Sequence, residues 1–128
     1  MHSRTRQWSA ALAALIVVAG VALSAHLKVE KTFPETDATV TATPDHVQVW
    51  FSQAPTVPVS SLTLEGPEGK VTMGKAVAGK VDGKLDRSIV APITGAVSAG
   101  KYTVTWKTSG PDGHIQTGTF DFIIKPGV

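Results

Sequence analysis

Two side chains near the C-terminal end of this 128-residue chain could do chemistry together: Asp112 and His114, in the run Trp106-Lys-Thr-Ser-Gly-Pro-Asp112-Gly113-His114-Ile-Gln-Thr-Gly118-Thr-Phe120-Asp-Phe122. Residues two apart on an extended segment point to the same side. A carboxylate and an imidazole are therefore offered as a pair, with Gly113 between them leaving room for approach. Asp-Gly is also ordinary hairpin-turn chemistry, and a loop histidine is often merely solvated. The tripeptide alone leaves both readings open. A third group, His26, enters through the way the chain begins.

The elements that must position these groups are legible on either side of them. Tyr102, Val104 and Trp106 alternate with Lys101, Thr103 and Thr105, while Phe120, Phe122 and Ile124 alternate with Thr119, Asp121 and Ile123. Two period-2 runs around Ser-Gly-Pro-Asp-Gly predict a β-hairpin with one apolar face and Asp112 and His114 at its tip.

At the other end, His2, Arg4 and Arg6 precede an apolar run from Ala10 to Leu23, closed by Ser24 and Ala25. A positive start, a short apolar core and small residues at the boundary are the layout of a secretory signal peptide over residues 1–25. The run is short for a membrane anchor of ~20 residues. No twin arginine is present and no cysteine follows the run, so the general secretory route is expected, without lipid attachment. Cleavage after Ala25 leaves residues 26–128 as one domain. Removing Arg4 and Arg6 from twelve Lys and Arg leaves ten against ten Asp and Glu. The processed chain is then neutral and without a basic run, which argues against nucleic acid or stable membrane association. With no cysteine, neither a disulfide nor a thiolate metal site is available.

A cut after Ala25 also makes His26 the first residue. Its free α-amine and its own Nδ1 can close a six-membered chelate ring on one metal ion. A terminal amine of pKa ~7.7–8.0 yields its proton to a metal near neutrality. With Asp112 and His114 the donors become three nitrogens and one carboxylate oxygen. That set suits Cu(II), which also heads the affinity order of divalent first-row metals. Zinc favours tetrahedral sites, often with thiolates, and calcium and magnesium favour oxygen donors. A cut after Ser24 would instead give an amine, amide and imidazole arrangement.

Frequent Gly and Pro with short alternating Val, Thr and Ile runs predict an all-β fold, an immunoglobulin-like Greek-key β-sandwich of about seven strands. Strands are expected at 25–31 with Leu27 and Val29 alternating, 38–42, 46–52 with Val47, Val49 and Phe51 on one face, and 60–65. Val71 and Met73 continue a hairpin beyond the turn at 66–69. Residues 74–84, with three lysines, read as irregular or edge strand. Residues 85–91 read as a strand with Leu85, Arg87 and Ile89 on one face, and 92–99 as a connection with room for a helical turn.

The ordered set of pieces resembles the CopC family of periplasmic copper-binding proteins, nearly end to end over the mature chain. Those pieces are the signal peptide, His26, Pro34, Phe51-Ser52, Tyr102 to Trp106, Asp112-Gly-His114 and Gly118-Thr-Phe120-Asp-Phe122. The resemblance implies a seven-stranded sandwich holding Cu(II) through the N-terminal amine and imidazole together with the Asp-Gly-His pair. The implied ligands are His26, Asp112 and His114, with no enzymatic role. It also implies an exported, periplasmic or extracellular monomer in copper homeostasis or resistance, for which an inner-membrane copper transporter is a candidate partner. Two features depart from the family's pattern. Only Met73 survives processing, too little for a thioether Cu(I) site. Gly110 stands where a serine two residues before the Asp is usual, with Ser109 one place earlier.

Two other readings compete. A histidine brace on this fold also resembles oxidative copper enzymes, although Asp112 would block a position that oxygen chemistry needs. A metal-free interaction module is the other. His46 could be an auxiliary ligand, but it faces away from Val47 on its strand and reads better as a surface residue. Trp106 shares the core face of Tyr102 and Val104, whereas Trp50, on the His46 face, could mark a docking patch.

Overall fold

A computed structural model describes residues 26–127; the expected signal peptide and its cleavage point lie outside the described residues. The clearest alternation in the sequence becomes a central strand, β3 (His46–Phe51). Val47, Val49 and Phe51 are fully buried on one face, and His46, Gln48 and Trp50 are half-buried on the other. It pairs antiparallel with β1 (Val29–Phe33) and β7 (Lys84–Pro92), and β6 (Val77–Val81) completes a four-stranded sheet in the order β1-β3-β7-β6.

The second sheet has five strands in the order β2-β9-β8-β4-β5. Its centre is the expected hairpin, β8 (Gly100–Ser109) and β9 (Ile115–Ile124), paired without interruption from Gly100↔Ile124 to Ser109↔Ile115. β4 (Ser61–Gly66) pairs with β8, and the rims are β5 (Gly69–Val71) and the two-residue β2 (Thr39–Val40), the latter parallel to β9. The chain changes sheets between β1, β2, β3 and β4, and again between β5 and β6 and between β7 and β8. This interleaving gives the expected Greek-key β-sandwich. The described residues form nine strands rather than about seven; the short β2 and β5 are rim additions.

Between the sheets, Leu27, Val47, Val49, Phe51, Ile89, Ala91, Tyr102, Val104, Trp106, Phe120, Phe122 and Ile124 form one core. Phe51 meets Trp106 edge to face at 5.3 Å, joining the two layers at the end nearest the hairpin tip. Trp106 is therefore core, as its parity predicts.

Two departures from simple alternation share a cause. Leu27 is buried, but β1 begins only at Val29, which is exposed, and Thr32 faces inward instead. A register shift between Val29 and Lys31 resets the parity. Likewise Leu85 is 69% exposed while Ile89 is fully buried. Ala78 pairs with Ile89 but Lys80 with Leu85, so Asp86–Ser88 opposes Gly79 alone. Arg87 stands at φ 63° on this bulge and points out of the core. The lysine-rich segment holds the edge strand β6, and residues 93–99 contain no helical turn.

Candidate metal centre

The hairpin tip is built by local rules. Gly113 N–H donates to Gly110 O at 3.0 Å, closing the turn Gly110-Pro111-Asp112-Gly113. Proline suits its second position and glycine its fourth. Gly113 has φ +79°, and a Cβ there would meet nothing within 4 Å, so backbone conformation and not space favours glycine. Asp112 Oδ1 then accepts the backbone N–H of His114 at 3.0 Å, the local bond by which Asp side chains fix turns.

That bond occupies one carboxylate oxygen and aims the other. Asp112 Oδ2 lies 3.2 Å from Nδ1 of His114 and 3.6 Å from Nδ1 of His26. The two imidazole rings lie 6.3 Å apart with 23° between their planes. The Asp112 side chain is only 17% exposed, against 62% for His26 and 76% for His114. A recessed carboxylate thus sits between two exposed imidazoles. The His114 N–H bond holds the Asp112 carboxyl below its usual range; partial burial opposes this, and the two imidazoles add to it.

His26 arrives from the other sheet. Leu27 plugs the core at 2% exposure. Its N–H donates to Gln116 Oε1 at 3.3 Å, and Gln116 Nε2 donates back to Leu27 O at 3.2 Å. One residue on, Lys28 N–H donates to Ser52 Oγ at 2.9 Å, and Ser52 N–H donates to Lys28 O at 2.8 Å. The lead-in to β1 is thereby tied to β9 through Gln116 and to the end of β3 through Ser52.

As these side chains stand, no group of three or more His, Cys, Asp or Glu among the described residues is arranged to hold a metal ion. Both imidazoles turn Nδ1 to the carboxylate instead. The donor types, two imidazoles and a carboxylate, nevertheless fit a borderline divalent cation.

The remaining candidates lie apart from this cluster. His46 opens β3, whose other end, Phe51, leads to Ser52 and the cluster. It stacks on Phe33 at 4.6 Å and contacts Asp45 Oδ1 at 2.6 Å through Nδ1. Met73 bridges to Ile93 and packs half-buried against the core. Trp50 donates to Asp86 Oδ2 at 3.0 Å and is capped by Lys31 Nζ at 4.2 Å from the ring centroid. Ser109 is buried beneath the tip, with its carbonyl accepting Thr56 N–H at 2.9 Å. The sequence reading missed Gln116. Its signal was a polar residue at the parity of Phe120 and Phe122, on the core-facing series of β9.

Comparison with known proteins adds independent findings. The family model of the CopC domain matches residues 29–125, which takes in Asp112 and His114 and begins three residues after His26. Copper resistance protein C of Escherichia coli is 35% identical over 115 residues, covering 85% of this chain and 90% of that protein. Protein YobA of Escherichia coli K12 is 29% identical over 101 residues, covering 79% and 80%. Among solved structures, PcoC, a methionine-rich copper resistance protein from Escherichia coli, superposes with TM-score 0.68 at 29% identity, covering 79% of this chain and all of that one. CopC from Methylosinus trichosporium OB3b gives 0.69 at 24% identity, covering 80% and 97%, a likeness of fold.

Proposed function

The chain belongs to the CopC family, whose members are copper-resistance binding proteins rather than enzymes, and on that premise we propose that it is an exported carrier of Cu(II). In this reading a signal peptidase cuts after Ala25, and the new terminus supplies its amine and Nδ1 to the metal. Asp112 and His114 complete the set. The observation that carries it is the meeting of three side chains from opposite ends of the chain, with both imidazole Nδ1 atoms within 3.6 Å of one carboxylate oxygen. Two nitrogens from one residue and a third from the hairpin favour Cu(II) over oxygen-seeking cations. Export to the periplasm, a monomeric state and delivery to an inner-membrane copper transporter belong to the same proposal.

The test is direct. Mass spectrometry of the exported protein should find His26 at the N-terminus, and Cu(II) titration should give one site with nitrogen hyperfine structure in its EPR spectrum. His114→Ala and Asp112→Ala should each weaken binding by ~10-fold or more, since even supporting residues of metal sites cost 10–100-fold. Both variants should remain folded. Parental affinity in both would remove the ligand assignment.

A further inference from the structure

The tie between Leu27 and Gln116 joins the two segments that bear the cluster. Gln116 follows His114 by two residues, and Leu27 follows His26 directly. One amide side chain both accepts from and donates to the Leu27 backbone, at 3.3 and 3.2 Å, across 89 residues of chain. Such paired bonds fix the orientation of a peptide unit as well as its distance. The Ser52 bonds hold the next residue, but to the end of β3, in the opposite sheet. They register the lead-in against its own sheet and leave its position relative to β9 to Leu27 packing and to Gln116.

The position of Gln116 on β9 is informative as well. Ile124, Phe122 and Phe120 face inward on β9, Gly118 makes room for the Trp106 ring, and Gln116 comes next in that series. Opposite it in the ladder is Thr108, fully buried and bonded through its hydroxyl to Ser60 Oγ at 2.6 Å. At this end of the sandwich the core-facing series turns polar where the first strand's lead-in crosses over. An aliphatic residue at 116 could pack there, but it would leave the Leu27 N–H and C=O without these partners.

We propose that Gln116 is the positioning residue of the metal centre, holding the Leu27 peptide so that residue 26 stays over Asp112. The assignment rests on the copper reading above for its purpose, but not for its geometry. It predicts that the clamp acts on how well the centre is preformed, with little effect on the fold. Outer partners that orient ligands set metal affinity in the same way.

The test uses the exported, processed protein and two variants, Gln116→Leu and Gln116→Asn, the second retaining an amide one methylene too short. Without added metal, NMR should show Leu27 amide exchange faster by roughly tenfold in Gln116→Leu, as expected for losing hydrogen bonds of ordinary strength. Lys28, held by Ser52, should keep its protection. With Cu(II), dissociation should speed by ~10-fold or more and the EPR hyperfine pattern should change, with Gln116→Asn behaving alike. Unchanged Leu27 exchange in both variants overturns the proposal. So does copper binding at parental affinity with a parental spectrum. If Gln116→Leu fails to fold, Gln116→Asn decides on the same readouts. Should the parent bind no Cu(II), the proposed function falls, and Leu27 exchange alone then judges the clamp.

Discussion

Alanine at Gly118 should unsettle the end of the sandwich that carries the metal centre. Gly118 faces Trp106 directly across the β8–β9 ladder. A Cβ on it would lie 2.4 Å from Cζ2, 2.6 Å from Cε2 and 2.8 Å from Nε1 of that ring. Carbon atoms normally rest at ~3.5–4.0 Å, so the indole must retreat by about 1 Å. It has little space to do so, because it is 8% exposed and Phe51, itself fully buried, packs against it at 5.3 Å. Overpacking of this kind costs ~1–3 kcal/mol, of which alanine's better strand entropy returns ~0.5–1 kcal/mol. A net loss of ~0.5–2 kcal/mol lowers the Tm of a domain of this size by ~3–15 °C. Thermal unfolding followed by circular dichroism measures it, and the near-ultraviolet spectrum should report the shifted indole. A Tm within ~2 °C of the parent with an unchanged near-ultraviolet spectrum would refute the packing argument. It would mean that Trp106 is free to move.

Other outcomes follow from the same geometry. The Asp112 carboxyl titrates below its ordinary value, so its contribution to stability is complete above the unfolded pKa of ~3.9 and is lost as pH falls through the lower folded value. Parent and Asp112→Asn should therefore converge in stability on acidification below pH ~4; an NMR titration of that carboxyl at or above the ordinary value would contradict this. His46→Ala and Met73→Leu should each leave Cu(II) affinity at the parental level, since His46 opens β3 at the end away from the cluster and Met73 packs against the core. Calorimetric titration of either variant showing tenfold weaker binding would redraw the centre.

Much of the sandwich could be read from residue types. The hairpin's apolar alternation marked its buried face correctly from Tyr102 to Trp106 and from Phe120 to Ile124, because both strands of an uninterrupted ladder keep period 2 throughout. Where a bulge intervenes, as between Val29 and Lys31 or around Arg87, parity fails. An inserted residue costs nothing in the sequence pattern yet reverses which side chains face the core.

The candidate centre divides along the same line. Sequence alone determined the donor types, the two-residue spacing of Asp112 and His114, and the turn that presents them, since each depends on bonds between near neighbours. Tertiary structure decided that His26 meets them, because 86 residues separate it from Asp112 and only the stacking of one sheet on the other closes that distance. It also decided what steadies the meeting. A glutamine on a strand has no fixed partner in sequence, and the Leu27 peptide becomes its partner only once both layers have packed.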